Sequence, residues 1–214
     1  MGPIFAIVIH LVLIAILSVI LSIPASILTY VLSKQGKKRK AIIAFCSPFI
    51  WLYSIYLLAF IGSIFVSEIK NVDEGIGDYW YAPINEKYKI SFIDLPEQAF
   101  IENEETEIIA DIDEVQLIEN SFIGNTFDNK FFHLNLKTNK VTKVNTEKEL
   151  QVLVKNQKIQ FIKAYDFYNQ KRWEVAGTSY IIVGVISLLF SSCLVLLFVK
   201  LTLKGFSYLK KYNP

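Results

Sequence analysis

The chain has 214 residues, 53% of them hydrophobic, and its 22 basic and 20 acidic side chains leave a formal net charge of +2. So small a surplus sets nucleic acid aside as a partner, because phosphate binding needs a basic excess on the bound domain. Two cysteines in this length exclude a scaffold stapled by disulfides.

Three runs contain no Asp, Glu, Lys or Arg: Pro3 to Leu32, Ala41 to Ser67 and Val175 to Val199. Each exceeds the ~20 apolar residues that a helix needs to cross about 30 Å of hydrocarbon. None carries the polar stripe of a helix that is half exposed to water. The reading is a membrane α-helical protein with three transmembrane helices plus a small α+β extracytoplasmic domain built on an antiparallel sheet.

The first span, 3–33, lacks the basic start and short apolar core of a secretion signal, so it reads as a permanent helix. Ser18, Ser22 and Ser26 recur every four residues on one face, the spacing by which small residues let helices approach closely in lipid. His10 is the one ionisable side chain inside the run. It falls near a helix end, where it can reach water. A basic loop follows at 34–40, with Lys34, Lys37, Lys38, Arg39 and Lys40.

The second span, 41–67, repeats the small-residue pattern at Ala59, Ser63 and Ser67. Pro24 and Pro48 each remove one helical hydrogen bond from their spans. Trp51, Tyr53 and Tyr56 lie too deep for an interfacial belt and are expected to pack between helices.

The soluble domain, 68–174, opens with Asp73-Glu74-Gly75-Ile76-Gly77-Asp78, which reads as a flexible turn. From Tyr79 the apolar residues alternate with period two. Tyr88, Ile90 and Phe92 share a face, and further strands are expected over 98–101, 108–112, 115–123 and 131–136. Lys137 to Lys140 supplies a hairpin turn in which Asn139 tolerates a left-handed backbone. A sheet of four to six strands is predicted. Thr146 with Glu149 forms a capping box for a short helix through Leu150, Leu153 and Val154. Helical spacing returns from Ile159 to Trp173 without proline, so one helix is predicted to run on through Glu174 to Gly177 into the third span.

That span, 175–200, has Gly177, Gly184 and Ser191 seven apart as candidate packing residues. A basic tail, 201–214, holds Lys204, Lys210 and Lys211. Both basic clusters flank spans in short segments, and such segments stay in the cytoplasm. The expected location is therefore the inner membrane, multi-pass, with the amino terminus and 68–174 outside and the carboxyl terminus inside. The outer segment then holds 13 basic and 20 acidic residues, a net of −7.

Acidity concentrates from Ile90 to Asn129, with eleven carboxylates and no Lys or Arg. Glu102, Glu104, Glu105, Glu107, Asp111 and Asp113 are the candidate acidic partner face. They lack the glycine-turned loop of a calcium site. A single histidine in the domain, His133, disfavours zinc. Ser91 and Ser121 stand in no catalytic motif, so no catalytic residue, metal or cofactor is assigned. The expected partners are the lipid bilayer and a protein bound through the outer domain or the spans. The leading reading is a non-enzymatic bacterial protein that binds or scaffolds an envelope protein. The alternatives are an immunity protein against an envelope-acting toxin and an accessory subunit of a transporter or channel.

Overall fold

The structure is a computed structural model that describes residues 2–104, 106–155 and 157–212. The chain divides into two compact units, one of Val66–Thr178 with the first residues, the other of Ile4–Phe65 with Ser179–Pro214.

The second unit is helical. It contains α1 (Pro3–Leu32), most of α2 (Lys37–Lys70) and the larger part of α4 (Ala164–Tyr212). All three helices are long and apolar enough to cross a membrane. Pro24 and Pro48 lie inside continuous helices.

The other unit is a separate antiparallel sheet domain. Its strands are β1 (Tyr79–Pro83), β2 (Tyr88–Ile93), β3 (Ala99–Asn103), β4 (Thr106–Ile118), β5 (Ser121–Thr126), β6 (Phe131–Asn135), β7 (Lys140–Val144) and β8 (Ile162–Lys163). The first seven form a meander in sequence order, and β8 pairs with β4. This is more than the four to six strands expected, the additions being β1 and β8, and two boundaries inside the sheet also differ from the alternation pattern. A single strand, β4, replaces two, carrying a bulge against β3 where Asp111 adopts φ 56°. The chain then reverses within 115–123, where Glu119 takes φ 48° between β4 and β5. A bulge adds an unpaired residue without ending a strand, so period-two counting breaks the strand there.

Pairing with β3 ends at Ile112, and β8 takes up the same strand's Glu114 and Val115. This interaction overrides the helical spacing of residues 159–163. The helix α4 consequently starts at Ala164, and from there it runs unbroken through residues 174–177.

One sheet face packs Ile90, Phe92, Ile101, Phe122 and Phe132 against Ala164, Phe167 and Tyr168 of α4. The opposite face packs Ile123 against Leu150 and Val154, at the short helix α3 (Glu147–Leu153). The Thr146 hydroxyl caps α3 by accepting from Glu149 N, and the Glu149 carboxylate accepts from Asn145 N at 3.1 Å. In β5, Phe122 and Ile123 thus feed two separate cores, as strict alternation requires.

Candidate functional site

The acidic candidates divide three ways. Glu102 is a correction to the expected partner face, because it is buried, with 7% of its surface exposed. Its carboxylate accepts hydrogen bonds from the Tyr79 hydroxyl and, at 2.9 Å, from the Ser91 hydroxyl. The β1–β2–β3 register brings these three together on one face, with Tyr81 beside Tyr79 and the Lys89 ammonium 4.4 Å from the Tyr81 ring centre. Burial, then the Glu102 hydrogen bond, pushes the Tyr79 hydroxyl well above its ordinary range, so it remains a donor. A buried carboxylate with two donors is a satisfied structural group, and it is not offered to solvent.

Glu104, Glu107 and Asp111 are exposed. Asp113 is half-buried and is held by Lys163 at 2.9 Å, with Glu114 beside it at 3.2 Å from the same ammonium. These contacts raise the Lys163 ammonium above its usual value. Glu105 lies outside the described residues. Asp111 borders a cleft of about 540 Å³ with Phe127, Asp128, Lys130 and Lys143. Lys130 and Thr126 hold the Asp128 carboxyl down at about 2. Among the described residues, no group of three or more His, Cys, Asp or Glu is placed to hold a metal ion.

Two groups that carried no motif come together across β5 and β6. His133 Nε2 stands 2.9 Å from the Ser121 hydroxyl. Burial lowers the His133 imidazole below its ordinary range, favouring the neutral ring. A nucleophile and a base are therefore in reach of each other. No carboxylate among the described residues hydrogen-bonds the ring, so the orienting member of a triad is not in place. Sequence gave no sign of this pair because Ser121 and His133 are diagonal neighbours whose register depends on the preceding turn.

Asp73 departs from the flexible turn expected for residues 73–78. It is buried, accepts from Tyr168 at 2.6 Å and from Gly75 N at 2.7 Å, and lies 3.3 Å from Arg172 Nε. Gly75, at φ 74°, permits this wrap. A side chain there would meet the Arg172 guanidinium.

In the helical unit, Ser18, Ser22 and Ser191 are fully buried, while Ser26, Ala59 and Ser63 are half-buried. Ser22 donates across to the Phe45 carbonyl at 2.6 Å, joining α1 to α2. Ser67 belongs to the sheet unit, where its hydroxyl bonds the Val72 carbonyl. Gly177 is buried beneath the Trp173 ring of its own helix, and Gly184 is exposed and faces open space. The close approach of α2 and α4 occurs instead at Gly62, where a Cβ would collide with Val183. The heptad and four-residue counts miss it, since Gly62 precedes Ser63 on an adjacent face. Tyr53 donates to the Leu11 carbonyl at 3.0 Å and Trp51 to Ser192 at 3.3 Å, while the His10 ring lies 3.4 Å from the Tyr56 hydroxyl.

No protein-family model, curated protein or solved structure matches this chain.

Proposed function

We propose that the chain is a non-enzymatic bacterial inner-membrane protein whose sheet domain lies outside the cytoplasm and binds a basic protein partner. The orientation rests on the nine basic residues that flank the spans in short segments free of acidic ones. The observation that carries partner binding is a corner of the sheet. There Tyr79, Ile93 and Leu95 are exposed at 42%, 47% and 52%, on register partners and the adjoining turn. Asp94 and Glu97 are exposed beside them. Apolar side chains with a charged rim are the usual build of a protein interface.

A photo-reactive residue at Leu95, introduced in growing cells, tests this reading. A discrete protein adduct that disappears on D94K/E97K substitution supports it. Adducts to lipid alone would defeat it. An adduct that forms only when a foreign toxin is supplied would move the assignment to an immunity protein. A transport protein in the adduct would make the chain an accessory subunit. Reaction of an introduced Asn139→Cys with an impermeant maleimide in intact cells tests the orientation separately.

A further inference from the structure

We infer that the helical unit holds one acyl chain of an anionic phospholipid in a groove between its three helices, with the lipid phosphate at Lys40. The inference goes beyond partner binding by the sheet domain and requires only that these helices cross the bilayer.

The groove has a volume of about 780 Å³ and is walled by α1, α2 and α4, with Leu21, Ala25, Ala44, Val195 and Leu196 among its lining. Small side chains at Ala25 and Ala44 open the space. Two of its polar lining residues offer little to a ligand. The Ser47 hydroxyl donates to Ile43 O and the Ser192 hydroxyl to Leu188 O, both at 2.8 Å and both within their own helices. The wall is therefore effectively hydrocarbon, which suits a hydrocarbon occupant.

The groove also has a polarity. Among the described residues Lys40 is its one charged lining residue, and Trp51 lies further along the same helix. Eleven residues of α2 separate them, roughly 16 Å at the helical rise. One leaflet's hydrocarbon is about 15 Å deep, half of the ~30 Å core. A single lipid tail thus runs from Lys40 to the bilayer midplane. Arg39 donates to the Leu203 carbonyl at 2.6 Å, tying the start of α2 to α4 at the same end. No Asp or Glu occurs between Pro3 and Ser67 or after Glu174, so the charged side chains at this end are positive and complement a phosphate.

Native mass spectrometry of the full chain, exchanged into equal amounts of phosphatidylglycerol and phosphatidylcholine with identical tails, tests the inference. The expected result is phosphatidylglycerol adducts favoured about fivefold, the worth of one well-placed basic residue. Lys40→Ala removes that preference, and the K37A/K38A pair, outside the groove, keeps it. Ala44→Phe fills the groove and removes adducts of both lipids, with helical circular dichroism unchanged. If Ala44→Phe does not fold, Ala25→Phe tests the same space from α1. Equal binding of the two lipids would overturn the inference, as would a preference that survives Lys40→Ala or is lost equally in K37A/K38A. A stoichiometric second polypeptide released by Ala44→Phe would assign the groove to a partner helix instead.

Discussion

Asp73 and Tyr168 lie 95 residues apart in the chain, yet the Tyr168 hydroxyl donates to the Asp73 carboxylate at 2.6 Å inside the sheet unit. Arg172 reaches the same carboxylate one helical turn further along α4. The segment after α2 is thereby bound to the helix that covers the sheet. Tyr168→Phe removes one hydrogen bond to a charged group, and its expected cost is about 1.5–3 kcal/mol. Asp73→Ala removes both the acceptor of that hydroxyl and the carboxylate facing Arg172, and is expected to cost more than Tyr168→Phe. Chemical denaturation of the two variants in detergent, followed by tryptophan fluorescence, checks the order.

The pH profile of the sheet domain should have a plateau with two flanks. Burial, followed by a hydrogen bond to a carboxylate, raises both Tyr79 and Tyr168 above the ordinary 10.0. Stability from these phenols is complete below about pH 10 and is lost as pH climbs past it. Burial lowers His133 below 6.5, so its contribution is complete above that value and is lost as pH falls beneath it. Denaturation midpoints measured from pH 5 to 11 should therefore be level between about 6.5 and 10. Phe at 79 and 168 should flatten the basic flank, and His133→Gln the upper part of the acidic one. A basic flank unchanged in the double Phe variant would contradict the assignment.

Within the helical unit, two glycines should behave oppositely. Gly62→Ala drives a methyl group into Val183, and overpacking of this kind costs about 1–3 kcal/mol. Gly184→Ala meets nothing within 4 Å and should be neutral or slightly stabilising. Thermal unfolding of the purified protein in detergent compares them directly.

The small helix α3 provides a further contrast. Leu150 is fully buried against Ile123, whereas Val152, two residues on, is 72% exposed. Leu150→Ala should destabilise by about 2–5 kcal/mol, and Val152→Ala should change stability by less than about 0.5 kcal/mol. Equal effects would mean that α3 does not dock on the sheet.

The features legible in sequence were those carried by local pattern. Uncharged runs marked the three long helices, alternation at Tyr88, Ile90 and Phe92 marked a strand, and Thr146 with Glu149 marked the start of α3. The features that escaped depend on partners distant in the chain. Residues 159–163 have helical spacing, but β8 forms because Ile162 meets Val115. Glu102 resembles its acidic neighbours in every local respect, and only the β1–β2–β3 register puts Tyr79 and Ser91 over it. Exposure of Gly184 and closeness at Gly62 follow from helix rotation, which small-residue spacing does not determine.

The sheet's meander order carries a consequence for biogenesis. Strands β2 to β7 each pair with the strand that precedes them in the chain, so the hairpins can form in sequence order as the domain folds. Phe167 and Tyr168, which close over Phe92 and Phe122, are synthesised only after all seven are complete. For that interval the incomplete sheet presents an aromatic surface prone to aggregation until α4 covers it.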